Sequence, residues 1–135
     1  MRRIHKIYTI MKDGRPYTYS GYKYPSPYFK HYEFEAHHDD PSLITDLPEE
    51  KVKEALEILS SWFEKTNKTS LRHTSYGYKH WLEDAILHYV SNNQLKDAML
   101  MLGFEPRDYD ELNWCFKVKP TQALKDWLKT NNKYW

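Results

Sequence analysis

Two groups of side chains in this sequence have the types and spacing of metal ligands. His80, Asp84 and His88 recur at every fourth position, which on a helix would stack them along one face. His37-His38-Asp39-Asp40 forms a second group, with His31, Glu33 and Glu35 just upstream. Imidazole and carboxylate suit Zn²⁺, and carboxylates alone suit Mg²⁺. Only if the two groups met in space would they make a metal-dependent nuclease. Four-residue His/Asp spacing is also that of a solvated helix face with modest pair interactions. The expectation is therefore no bound metal and no cofactor, with His37, His38, Asp39, His80, Asp84 and His88 as the secondary candidates. The single cysteine, Cys115, excludes an internal disulfide and sits in an alternating stretch with no nucleophile signature around it. Each of the four glycines fits a turn or a helix stop, which leaves none for a phosphate-binding loop. An enzyme is not expected.

The second kind of chemistry is cationic and aromatic. The formal net charge is +1, but residues 1–32 hold seven Lys/Arg against one Asp, residues 33–66 three against ten, and residues 67–135 ten against eight. The near-neutral total therefore hides a basic head and an acidic middle, and the two could match each other or face a partner. Seven of the twelve tyrosines lie in the basic head. Cations along a phosphate backbone with aromatic rings for stacking are what single-stranded nucleic acid needs. The same rings and charges also suit a groove on a protein partner, or simply stabilise an exposed hairpin through cross-strand pairs. The candidate contact residues here are Arg15, Tyr17, Tyr19, Tyr22, Lys23, Tyr24 and Lys30. In the acidic middle, Asp39, Asp40, Glu49 and Glu50 could instead mimic nucleic acid toward a basic channel.

The elements that must position these groups follow from periodicity. Arg3 to Met11 and Arg15 to Tyr24, joined by Asp13-Gly14, read as a β-hairpin. Tyr28 to His38 alternates strictly after Pro25-Ser26-Pro27 and reads as a third antiparallel strand. A helix is expected from Pro48 to about Lys65, with Val52, Ala55, Leu56, Leu59, Trp62 and Phe63 on its inner face and Glu49 and Glu50 at its positive end. A second helix is expected over Tyr78 to Val90, with Tyr78, Trp81, Leu82, Ala85, Ile86 and Tyr89 inward. Ser91-Asn92-Asn93-Gln94 has the form of a capping box that starts a third helix, and Gly103-Phe104 has the form of its stop. Asn113 to Lys119 alternates as a strand, and a short final helix runs from Thr121 to about Lys129. Two helices joined by a turn and followed by a strand match the order of a winged helix-turn-helix, with Asn92, Asn93, Lys96, Asp97 and Met101 outward. Asn93 and Lys96 are thus added to the candidate binding residues.

The content is 40% hydrophobic and 16% aromatic, enough for a core, and no apolar run approaches the roughly 20 residues of a membrane helix. The basic start alternates apolar and polar residues, unlike a secretory signal. One domain over 1–135 is expected, with a β part over 1–40 and a mainly helical part over 41–135. The fold class is α+β: an N-terminal three-stranded antiparallel meander followed by a helical, winged-helix-like portion.

The segments His73-Thr74-Ser75-Tyr76-Gly77-Tyr78-Lys79-His80 and Tyr89-Val90-Ser91-Asn92-Asn93-Gln94-Leu95-Lys96-Asp97-Ala98-Met99-Leu100-Met101-Leu102-Gly103-Phe104 resemble small accessory proteins of phages, plasmids and integrative elements of Gram-positive bacteria. Together they span residues 73–104, about a quarter of the chain. The resemblance implies a mobile-element origin and a bacterial cytoplasm rather than an activity. By analogy with anti-CRISPR inhibitors, the expected function is non-enzymatic binding and inhibition of a host protein or ribonucleoprotein complex that handles nucleic acid, such as a Cas nuclease. The alternative is a DNA- or RNA-binding regulatory protein of the element itself. The aromatic head is also a candidate homodimer surface, and no membrane partner is expected.

Overall fold

A computed structural model describes residues 6–12, 15–21, 43–108 and 111–135. Strands β1 (Lys6–Lys12) and β2 (Arg15–Gly21) pair antiparallel from Lys6↔Gly21 to Lys12↔Arg15, as the expected hairpin requires, while its turn residues Asp13 and Gly14 lie outside the described residues. The third strand expected over Tyr28–His38 lies outside the described residues. The remaining architecture mixes helix and sheet: a 3₁₀ turn (Ile44–Asp46), α1 (Glu49–Trp62), β3 (Phe63–Lys65), α2 (Ser75–Ile86), α3 (Asn92–Met101), β4 (Val118–Pro120) and α4 (Gln122–Thr130). Among the described residues no helix is long and apolar enough to cross a membrane.

Helix α1 begins after Pro48, with Glu49 and Glu50 in its first turn, and buries Ala55, Leu59 and Trp62. It stops three residues before its expected end. Phe63 turns extended, is buried, and opens β3, which pairs with β4 in the register Phe63↔Pro120, Glu64↔Lys119 and Lys65↔Val118. Thr121 fixes this boundary. Its N–H donates to the Trp62 carbonyl at 2.9 Å and its hydroxyl to the Ser61 carbonyl, while the same hydroxyl accepts from Leu124 N at 3.3 Å and so caps α4. Helical periodicity cannot register a competing strand partner some 55 residues away.

The alternating stretch near Asn113 is extended, but only its end, Val118–Pro120, forms a ladder, with a further single bridge between Phe116 and Pro106. Its backbone is held from both sides. Thr66 N donates to Lys117 O and Ser70 N to Phe116 O on one side, and Arg107 N donates to Cys115 O and Lys117 N to Glu105 O on the other. Ser75 makes a reciprocal pair with Trp114: Ser75 N donates to Trp114 O at 2.8 Å, and Trp114 N donates to Ser75 Oγ at 2.9 Å. That pair pins the start of α2 to the core. Burial pushes the Cys115 thiol above its ordinary pKa.

Helix α3 starts in the expected capping box. Gln94 N donates to Ser91 Oγ at 3.0 Å, and Ser91 N donates to Gln94 Oε1 at 2.9 Å. It ends as Gly103 takes φ 84°, with Gly103 N bonded to Leu100 O and Phe104 N to Met99 O. The expected outward face of α3 is overturned, because Asn93, Lys96 and Asp97 are buried. Asp97 Oδ2 accepts from Ile44 N at 2.9 Å, the Lys96 ammonium lies 4.8 Å from the Trp114 ring centroid, and β2 runs alongside the helix. An amphipathic count made on α3 alone cannot foresee neighbours on both flanks.

The core is strongly aromatic. The fully buried Tyr78 ring lies 4.9 Å from Phe63, 5.5 Å from Trp81, 6.3 Å from Phe116 and 6.1 Å from Trp135, in the offset and edge geometries such rings prefer. His73 closes one side of this cluster, 4.7 Å from Trp81 and 5.2 Å from Trp135. Burial, aided by the Arg72 charge, holds its imidazole below the ordinary value, against a hydrogen bond to the Trp135 main chain.

A side chain at the positive φ of Gly103 is strained, although the Lys65 ammonium it would meet at 2.7 Å can swing away. Gly103→Ala is therefore expected to lower unfolding free energy in urea by about 1 kcal/mol, and Ser91→Ala by a similar ~1 kcal/mol. Because folding disfavours protonated His73, its contribution to stability is complete above its unfolded value of 6.5. It declines as the pH falls through that value toward the lower native one. Urea midpoints compared between neutral pH and the acid side should show this loss, and His73→Gln should flatten it; an unchanged pH slope in the variant would exclude His73 as its source.

Candidate functional site

Helix α2 divides its residues between two tasks. Tyr78, Trp81, Leu82 and Ile86 face the core, while Tyr76 and His80 face outward one turn apart, with ring centroids 4.6 Å apart edge to face. The Lys79 side chain is only 6% exposed. Its ammonium sits 5.5 Å from the Tyr76 ring centroid, 4.8 Å from that of Tyr89, and 3.1 Å from Glu83 Oε1. Glu83 is the hub of the group. Oε1 also meets His80 Nδ1 at 3.0 Å, and Oε2 accepts from Val90 N at 3.3 Å. One carboxylate thus ties two side chains of α2 to the link that leads into α3. The two tyrosines are held by a cation between their faces, an interaction worth about 1–2 kcal/mol when partly desolvated.

The expected second helix continues to Val90, but α2 ends at Ile86 because Leu87 adopts the left-handed conformation, φ 55° and ψ 48°. Leu87 N and His88 N both donate to Glu83 O, which closes the turn that glycine usually closes. Tyr89, expected inward, is consequently 60% exposed, and Leu87 is 85% exposed. The same turn ends α3 at Gly103 and α4 at Asn132, where φ is 56° and Lys133 N donates to Leu128 O. Gly and Asn are the residues suited to it. At the end of α2 a leucine takes that position, gains little burial, and bears a backbone cost of about 1–2 kcal/mol. Together with Tyr76, which is 52% exposed, Leu87 and Tyr89 form an apolar and aromatic face bearing His80.

The other sequence candidates are placed as follows. His80, Asp84 and His88 do not converge: His80 meets Glu83, Asp84 pairs with Lys133 at 3.5 Å, and His88 Nδ1 lies 2.8 Å from Tyr89 O. Among the described residues, no three His, Cys, Asp or Glu side chains are grouped as metal ligands. Arg15, Tyr17 and Tyr19 occupy alternate positions of β2, opposite Lys12, Ile10 and Tyr8. Tyr22, Lys23, Tyr24, Lys30, His37, His38 and Asp39 lie outside the described residues. Asn93 and Lys96 are inside the fold. The residues of the α2 face that periodicity missed are Lys79, Glu83, Leu87 and Tyr89. Ile86-Leu87-His88-Tyr89-Val90 carries no glycine or asparagine to announce a helix stop, so the turn that exposes Leu87 and Tyr89 was invisible.

Leu87→Gly should raise unfolding free energy by about 1 kcal/mol, since the strain is relieved and little buried surface is lost. Urea denaturation measures this, and a destabilised variant would show that Leu87 packs in the folded chain after all. No protein-family model matches the chain, and no curated protein or solved structure matches it.

Proposed function

We propose that the chain is a non-enzymatic binding protein that acts stoichiometrically on a protein partner, and that this partner is a nucleic-acid-handling complex of a bacterial host, such as a Cas nuclease. The observation that carries the binding reading is Leu87, an exposed apolar side chain held at a backbone position where glycine costs less. Strain of this kind is retained where the side chain is used. Tyr89, two positions on, and Tyr76, three turns earlier on α2, are two-torsion rings already positioned by Lys79 and Glu83, which supply contact area at low entropic cost. His80 adds an exposed polar group at the centre of the face. Rigid aromatic and aliphatic anchors with charged groups behind them have the composition of interface hot spots. The class of host complex rests on the sequence resemblance and on the basic, tyrosine-rich head. The burial of α3 counts against a regulator that reads DNA with that helix.

The test is nucleic-acid cleavage by the host's own nuclease complexes with and without an excess of the protein. Inhibition is expected, and Leu87→Gly or Tyr89→Ala should weaken it by at least about tenfold, the effect of a hot-spot residue. Leu87→Gly separates binding from folding, since it is expected to be the more stable protein and the poorer inhibitor. Undiminished cleavage by every complex would remove the proposed target, and full potency in both variants would remove this face.

A further inference from the structure

On the far side of the α2 ion pair lies a second feature. Lys125 and Lys129 stand one turn apart on the exposed side of α4, about 6 Å along the axis. The Asn132 turn folds the following residues back beside the helix, and Lys133 N bonds to Leu128 O at 2.8 Å. Between the helix and the returning chain is a cleft of about 370 Å³ lined by Lys125, Leu128, Lys129, Lys133, Tyr134 and Trp135, with Asn132 at its turn. Its floor is rigid. Trp135 is stacked on Tyr78 and set against Phe63 and Trp81, and the Arg72 guanidinium donates to the Trp135 main-chain oxygen through Nε and Nη2. Tyr134 is almost fully exposed.

The charges do not cancel locally. Lys133 is paired with Asp84 at 3.5 Å, and Asp126 accepts from Gln122 at 2.8 Å. Among the described residues no ion pair engages Lys125 or Lys129. Two unneutralised cations at neighbouring turns, an exposed tyrosine ring and a packed aromatic floor match a chain of phosphates with bases attached. We propose that this cleft binds the sugar-phosphate backbone of single-stranded nucleic acid, with Lys125 and Lys129 on successive phosphates and a base stacked on Tyr134. The site is independent of the α2 face, so either assignment can fail alone.

Fluorescence anisotropy of the full chain with labelled oligo-dT and oligo-U, with inorganic polyphosphate as competitor, tests it. Binding at about 50 mM salt should weaken steeply as salt rises. The Lys125→Gln/Lys129→Gln double variant keeps helix-forming residues at exposed sites. It should bind at least about tenfold more weakly and lower the salt slope by about 1.4, the share of two single-strand phosphates. Tyr134→Ala should weaken oligonucleotide binding several-fold while leaving polyphosphate competition unchanged, and Leu87→Gly should bind as the parent does. Absence of binding at low salt overturns the proposal, as does an affinity and slope unaltered in the double variant. Polyphosphate bound as tightly as the oligonucleotides, with Tyr134→Ala silent, would assign the cleft to free polyanions and overturn it equally.

Discussion

The burial of Tyr78 is the constraint on which the described fold turns. Its ring lies among Phe63, Trp81, Phe116, His73 and Trp135, contributed by four different stretches of chain. Fully burying such a residue is favourable by a few kcal/mol through apolar area alone. Its neighbours converge from separate places: Phe63 from just past the end of α1, Trp135 from beyond α4, and Phe116 from the extended stretch before β4. Burial pushes the Tyr78 hydroxyl far above its ordinary pKa, so the centre of the cluster is uncharged at neutral pH.

Features governed by neighbouring residues could be read in the sequence, and features governed by distant partners could not. The Ser91/Gln94 box and the Gly103-Phe104 stop depend on groups within a few positions of each other, and both appear as expected. The hairpin spacing around Asp13-Gly14 is of the same kind. By contrast, the end of α1 is decided by Thr121 and by pairing with β4, and the burial of Lys96 by Trp114 and β2. The candidate site was hidden for a third reason. A leucine at a left-handed position has no compositional mark, so the face that Leu87 and Tyr89 create emerges only once the backbone is known.

The two halves of α2 are mechanically connected. Lys79 and Tyr78 are adjacent, one held beneath exposed tyrosines and the other in the middle of the core. The rings of Tyr76 and Tyr89 are therefore tied through Lys79 to a helix whose opposite side is buried in the core. The Ser75–Trp114 bond pair fixes the start of the same helix. Glu83 fixes its end, leaving neither end of α2 free to move against the core.

Thr121 has a consequence for how the chain acquires its structure. Its hydroxyl meets Ser61, 60 positions earlier, while also starting α4. Closing so long a loop is entropically expensive until both ends have compact surroundings to join. By sequence separation alone, the α1–α4 junction carries a larger closure cost than the local joint between α2 and α3. Without Thr121, the Trp62 and Ser61 carbonyls would lack the partner it supplies, so one residue 60 positions away satisfies the end of α1 and starts α4 together.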